Sequence, residues 1–486
     1  MNLKLFGKNA IIYAIGSVGL RAASFLLIPL YTYSLSMSDY GLLVTLLLTI
    51  QVMIVFMGLG TRTGFVRFAA EYENKNLIGH LLGSSVLINI VGGLILTSAS
   101  ILFFKTLFQS ILHTQRVVEY IVLTCGAAMS QCLCIHILAY YRARNEGLKF
   151  MLASGSAPVL LILMNLVFLL ILHQGVKGAL MAQIITYGCL WLLVSFNVFS
   201  KIGIGISMQL ILKLLRFSLP LVFVMSGDLI TDASAMYFLS YFGSLEDVAI
   251  YSLGYKIAQI AIVVFILPFQ LAYEPLVYAN INTPGIRLNI AKLLTYLMIG
   301  FAFVAFGIVF VSRELLSIIA PSEYFSAYLV IFLILPGIAF RGVYYIGESL
   351  LYIEKKTYVT GTIVTVFTIL SLGLNYLLIP LYGMYGVILV FNLTVMCTAV
   401  LLMVLGMKTF PIPLEGKRLV ISGVLLILFL LLVFFLRETH AHIFYSIIPL
   451  VACTSIVFLY FGHFFDKTEK LAIKDTLYRI RRPVKP

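Results

Sequence analysis

Charged side chains are scarce in this sequence: they make up 11% of 486 residues, while 62% are hydrophobic. Soluble domains carry about 25% charge, so the deficit excludes one and leaves an integral membrane protein. Ten-residue segments of alternating polarity are missing too, which excludes a membrane β-barrel. The polar segments hold no Gly-rich phosphate loop, no nucleophile–base constellation and no metal-ligand spacing. The sequence therefore offers no catalytic residue, no metal site and no cofactor, and argues against an enzyme. The six cysteines, Cys125, Cys132, Cys134, Cys189, Cys397 and Cys453, all fall inside apolar runs and are expected to be reduced and unlinked. Cys132 and Cys134 diverge by about 200° around a helix, so they cannot share a metal.

What the chain does have is apolar blocks of about 20 residues, the length an α-helix needs to cross the hydrocarbon core. Fourteen spans are predicted: 9–31, 41–60, 81–104, 118–140, 150–172, 176–199, 217–241, 248–271, 291–312, 326–347, 357–379, 384–407, 418–436 and 442–462. The run from Asn9 is too long for a cleavable signal peptide, and no small-residue cleavage site follows it. Of the 33 Lys and Arg residues, 25 fall on the side of the amino terminus and five on the other. Basic loops resist translocation, so both termini are expected in the cytoplasm. The net charge of +14 then meets anionic inner-leaflet lipid, and no nucleic-acid partner is needed to explain it.

A repeat runs through these spans. Asp39 in LSMSDYGLL recurs as Asp247 in FGSLEDVAIY, and Gly175 and Gly178 recur as Gly383 and Gly386, each at an offset of 208 residues. In both copies an Asn in an apolar helix, Asn165 or Asn375, precedes the glycines. Six spans per copy is an even number, so the copies share one orientation, the plan of a parallel-repeat transporter. The expected fold is an all-α polytopic membrane protein of about 14 transmembrane helices. It divides into a first lobe at 1–205, a second at 206–410, two extra helices at 411–464 and a basic cytoplasmic tail at 465–486. Between such lobes a substrate is held near the midplane and reaches either side in turn.

Five charged residues lie inside spans and away from their first and last few positions: Arg21, Asp228, Asp232, Lys256 and Arg341. Each would cost about 2.5–3.5 kcal/mol facing lipid, so they are expected to face one another or a wet cavity. Arg21 is about 15–18 Å from either end of its span, too deep to snorkel comfortably. Asp228 and Asp232 stack one turn apart, which suits an ion-coupling site for H+ or Na+; a structural ion pair or hydrogen bond is the alternative. Lys256 and Arg341 are shallower, and either line the cavity or snorkel. Pro220, Gly227, Pro336 and Gly337 interrupt the helices carrying these charges and are candidate hinges. His136 reads as a hydrogen-bonded structural residue, with proton relay as the alternative.

The run containing Arg21, Pro29 and LSMSDYGLL, the segment DASAMYFLSYFGSLEDVAIYSLGYKIA from Asp232, and NYLLIPLYGMYGVIL from Asn375 together resemble one family. It is that of the polysaccharide-biosynthesis flippases, the Wzx-type O-antigen and exopolysaccharide translocases of the multidrug/oligosaccharidyl-lipid/polysaccharide exporter superfamily. The resemblance implies a flippase of the bacterial plasma membrane that moves a polyprenyl-diphosphate-linked oligosaccharide to the outer leaflet. It implies membrane lipids and glycan polymerase or assembly machinery as partners, and a diphosphate-binding role for Arg21. Lys256 and Arg341 would line the same cavity. The two extra helices are similar to those of lipid II flippases, so lipid II is an alternative substrate; a proton- or sodium-coupled exporter of small molecules is another alternative.

Overall fold

The computed structural model describes residues 25–439 apart from 74–76, 104 and 145, together with positions 451, 454, 455, 459, 460, 464 and 470. The side chains of 221, 223–225, 228 and 436–439 lie outside this description, as do Arg21 and nearly all of the fourteenth span.

Among the described residues, helix follows the apolar runs. In chain order the helices are α1 (Phe25–Ser34), α2 (Met37–Gly58), α3 (Thr61–Glu73), α4 (Ile78–Leu102), α5 (Lys105–Leu112), α6 (Val117–Ala143), α7 (Gly147–Ile171) and α8 (Gly175–Ile202). Then come α9 (Met208–Phe242), α10 (Leu245–Ala279), α11 (Ile286–Ile319), α12 (Ala327–Ile353), α13 (Thr357–Tyr382), α14 (Met384–Thr409) and α15 (Gly416–Thr439). Among the described residues, 11 helices are long and apolar enough to cross a membrane. The 35-residue α9 carries the seventh predicted span and α1 the end of the first. No strand occurs among the described residues.

In hydrocarbon every backbone polar group must be satisfied within the segment, which selects helix. The hydroxyls follow the same rule: Thr45 donates to the Gly41 carbonyl at 2.9 Å and Thr49 to that of Thr45 at 2.8 Å. Large apolar side chains point outward where lipid would be, for example Leu193, Phe196 and Leu381.

The repeat is visible in local structure. Ser36 caps α2 by accepting from the Asp39 amide at 3.1 Å and donating to its carboxylate at 2.9 Å. Ser244 caps α10 with the same two bonds to Asp247, at 3.1 and 3.0 Å. Gly175 and Gly383 both take left-handed backbone, φ +55° and +53°, a conformation open to glycine at little cost. Asn165 of α7 accepts from Tyr31 of α1 at 3.0 Å, while Asn375 of α13 donates to Ser234 of α9 at 3.2 Å. The same helix pair of each copy is thus tied by the same residue type. Asn165 stands ten residues before its glycine and Asn375 eight, and the longer interval holds a wide π-turn at Val167–Ile171.

Packing groups the chain into two compact units. One comprises residues 1–255, 314–330 and 361–394, the other 256–313, 331–360 and 395–486. In the first unit Phe65, Leu81, Leu82, Ile137 and Leu214 are central to an apolar core. In the second, Tyr273, Ile290, Leu297, Ile346 and Leu350 play that part. There α15 packs Phe429 onto Phe303 and Phe306 of α11, with ring centroids 5.3 and 4.6 Å apart. The extra helix is thereby built into a core.

Candidate functional site

In the first unit, three contacts join the two copies of the repeat at the membrane face opposite the basic loops. The capped start of α2 meets that of α10, with Gly41 directly against the Leu245 backbone. Thr32 donates to the Ile319 carbonyl at 2.5 Å, and Tyr40, fully buried, packs edge-on to Tyr324 at 5.8 Å. Gly254 of α10 likewise lies against the Ala327 carbonyl and Val330 of α12.

One polar turn of α9 lies within this arrangement. Asp232 is half-buried and accepts from the Tyr255 hydroxyl at 3.3 Å. Tyr255 stacks on Tyr251 at 5.8 Å and meets the Phe391 edge at 5.6 Å. Ser234 takes the bond from Asn375, and Tyr237 shares a 2.8 Å hydrogen bond with Thr49 of α2. Between Asp232 and Tyr237 the helix therefore reaches α10, α13 and α2 through polar side chains. Such groups at membrane depth are expensive unless partnered, which marks the turn as a built feature. Asp228 lies on α9 one turn earlier, and a Cβ on Gly227 would stand 3.5 Å from the Val364 side chain of α13. Helix α9 runs unbroken through Pro220.

The second unit holds Lys256 and Arg341, both half-buried and both with interaction partners. Glycines fix the helix that carries Arg341. Gly342 admits Leu297 of α11, and Gly347 lies against the backbone of Met403 on α14, where a Cβ on Gly406 would come within 2.8 Å of the Gly347 carbonyl. Small residues let membrane helices approach this closely. Helix α12 is continuous through Pro336 and Gly337. Glu348 accepts from Tyr352 at 2.8 Å. Tyr273 and Ser349 join α10 to α12 at 2.8 Å.

The five predicted charges thus divide. Asp228 and Asp232 belong to the first unit, Lys256 and Arg341 to the second, and Arg21 lies outside the described residues. Among the described residues no group of His, Cys, Asp and Glu is placed to hold a metal, and the five described cysteines are free.

Two polar assemblies escape sequence reasoning. On the basic face, Lys213 of α9 bonds Glu71 at 3.1 Å and Tyr72 at 3.2 Å, and lies 4.3 Å from the Phe68 ring centroid. The Lys213 bond, with Arg67 adding to it, holds the Glu71 carboxyl below its ordinary value; Tyr72 and then Glu71 raise the Lys213 ammonium. Inside the first unit, His136, Thr61 and Asn89 form a buried cluster. Their partners are 28 to 142 positions away, so only a helix-period reading of TRTGFVRFAAEYE hints at the first, and nothing local hints at the second.

Residues 6–278 match the model of a family described as polysaccharide biosynthesis protein. No curated protein matches the sequence. Among solved structures, the lipid II flippase MurJ in an inward closed conformation is 13% identical, covers 93% of this chain and 99% of its own, and has a TM-score of 0.75. An inward-facing multidrug resistance MATE family transporter of the MOP superfamily is 16% identical over 81% of this chain and 94% of its own, with a TM-score of 0.66. A MOP superfamily transporter from Pyrococcus furiosus, whose binding pocket is described as of reverse polarity, is 15% identical, covers 83% and 95%, and has a TM-score of 0.56. At these identities the likeness is one of fold.

Proposed function

The chain belongs to the polysaccharide biosynthesis protein family, and from that premise we propose that it moves a polyprenyl-diphosphate-linked oligosaccharide from the cytoplasmic to the outer leaflet by alternating access. The observation that carries this reading is the closure made by Gly41 on Leu245, Thr32 on Ile319 and Tyr40 on Tyr324. It joins the two repeats at the face away from the basic loops, as a transporter waiting for substrate from the basic side requires. With both termini in the cytoplasm of a bacterial plasma membrane, that side is the one where lipid-linked sugars are assembled.

A diphosphate bearing sugars cannot cross hydrocarbon unaided. It needs a wet cavity with cations, and Arg offers a bidentate fork where Lys offers a mobile point charge. Arg21 is assigned the diphosphate, with Lys256 and Arg341 lining the cavity. Asp228 and Asp232 are assigned coupling to H+ or Na+, and Pro220, Gly227, Pro336 and Gly337 the hinging of the lobes at 1–205 and 206–410. Glycan polymerase and assembly machinery would take the product. Moving one charge across 100 mV supplies about 2.3 kcal/mol, a useful bias for resetting the lobes.

The test is transfer of a fluorescent polyprenyl-diphosphate oligosaccharide between the leaflets of vesicles containing the full chain. Transfer above the protein-free rate is expected. A protein-free rate, together with export of a cationic small molecule, would replace this reading with that of an exporter.

A further inference from the structure

The cluster at the start of α3 poses a problem of hydrogen accounting. His136, Thr61 and Asn89 are buried, at 4, 0 and 0% exposure. His136 Nδ1 lies 2.8 Å from the Cys132 carbonyl, which can only accept, so Nδ1 carries a hydrogen. The Thr61 hydroxyl has one hydrogen to give and three neighbours: the Gly58 carbonyl at 2.6 Å, His136 Nε2 at 3.0 Å and the Asn89 amide at 3.1 Å. The amide nitrogen of Asn89 is buried without a partner among the described residues. Exchanging the two ends of that amide, which the heavy atoms do not distinguish, turns the nitrogen into a donor to Thr61.

One arrangement then satisfies every atom of the hydroxyl. Thr61 donates to Gly58 and accepts from Asn89 and from an N–H on His136 Nε2, filling its one donor and two acceptor positions. That arrangement requires both ring nitrogens to carry hydrogen. With a neutral ring, Thr61 must turn its hydrogen to Nε2, leaving the Gly58 carbonyl facing a lone pair at 2.6 Å. The charged and titratable neighbours are Arg62 of α3 beside the ring, Arg142 of α6 facing Arg62, and the Cys132 thiol 3.7 Å from Nδ1. Burial and the Arg62 guanidinium oppose a cation on this ring, and the bonds to the Cys132 carbonyl and the Thr61 hydroxyl favour it.

The cluster sits on a strained turn. Leu59 and Gly60 take φ +45° and +67°, and Gly60 and Gly64 lie against the carbonyl and hydroxyl of Ser218 on α9, two residues before Pro220. A Cβ on Gly60 would come within 2.8 Å of that carbonyl and one on Gly64 within 2.6 Å of the hydroxyl, so a change in the turn is passed to α9 with little slack.

We propose that His136, Thr61 and Asn89 form a proton-binding site, in which a proton taken up at His136 Nε2 switches the Thr61 hydrogen from the ring to the Gly58 carbonyl and so tightens the turn against α9. One proton is bound, one hydrogen bond is exchanged for another, and no other group changes charge. The site is separate from Asp228 and Asp232, and its test is independent of which substrate is moved.

The test is amide hydrogen exchange of the peptide spanning 58–64, in the full chain in lipid nanodiscs, between about pH 8 and about pH 3 and corrected for the intrinsic rate. Wild type should gain about threefold or more protection as the pH falls, along a one-proton curve. His136→Gln and Thr61→Val should each abolish that gain, the second with the histidine still present. Absence of a gain in wild type, or the same gain in Thr61→Val, would overturn the proposal, and Thr61→Val alone decides it where His136→Gln does not fold.

Discussion

Gly41 leaves no room for a side chain against the carbonyl of Leu245. The starts of α2 and α10, equivalent elements of the two repeats, therefore touch backbone to backbone. Gly41→Ala is expected to cost about 1–3 kcal/mol through overpacking and to raise the reactivity of a cysteine placed at Tyr324. Thermal unfolding and thiol labelling check both effects; an unchanged melting point together with unchanged labelling would refute the closure.

The two Ser–Asp caps have matching geometry, so they should be worth the same. Ser36→Ala and Ser244→Ala are each expected to cost about 0.5–2 kcal/mol. Denaturation of the single variants measures the costs. A difference well beyond that range would mean that the caps, alike in bonds, are unlike in use.

Arg21→Ala is expected to abolish translocation of the lipid-linked oligosaccharide at normal expression, and Arg21→Lys to restore it in part, because an ammonium keeps the charge and loses the bidentate fork. Normal leaflet transfer by the Ala variant would remove Arg21 from the diphosphate.

Asp228→Asn should erase the dependence of transport on an imposed pH or sodium gradient, and Asp232→Asn should weaken it while losing only one acceptor for Tyr255. Transport driven by each gradient in turn reads the outcome. Unchanged gradient dependence in both variants would return the carboxylates to a purely structural role.

The contact of Lys213 with Glu71 should have a defined pH window. Glu71 is held below its ordinary 4.5, so its contribution is complete above that value and is lost as the pH falls through the lowered one. Lys213 is raised above its ordinary 10.5, so its contribution is complete below 10.5 and is lost as the pH rises through the raised value. Protection of α3 amides should therefore be flat across neutral pH, fall in acid, and fall at every pH in Lys213→Met. The pH profile of α3 exchange, corrected for intrinsic rates, measures it.

The spans were legible because hydrocarbon imposes one length and one composition: the predicted 118–140 is α6 at Val117–Ala143, and 357–379 is α13 at Thr357–Tyr382. The repeat was legible because a cap needs Ser and Asp three residues apart and a left-handed turn needs Gly. Short amphipathic helices were not: α3 and α5 have too few apolar residues to register as spans, and α9 begins at Met208, nine residues before its apolar run. Among the candidate site residues, the sequence marks Asp232 as costly at its depth but cannot name Tyr255 as its partner. That pairing depends on how α9 and α10 pack, which no spacing encodes. His136 looked like any histidine on an apolar face until Thr61 and Asn89, 75 and 47 positions away, were brought to it.

The seam between the two repeats is a rivet, where a loose tether would serve as well to keep the copies together. Residues 203–207 cross α4 through the gap left by Gly79 and Gly83, where a Cβ on Gly79 would come within 2.5 Å of the Gly203 carbonyl, and Ser207 donates its amide to Ser84 at 3.1 Å. One methyl group at Gly83 would prise the seam loose, because it would meet the Gly205 carbonyl. With the link held this closely, the long helix that follows starts from a fixed point.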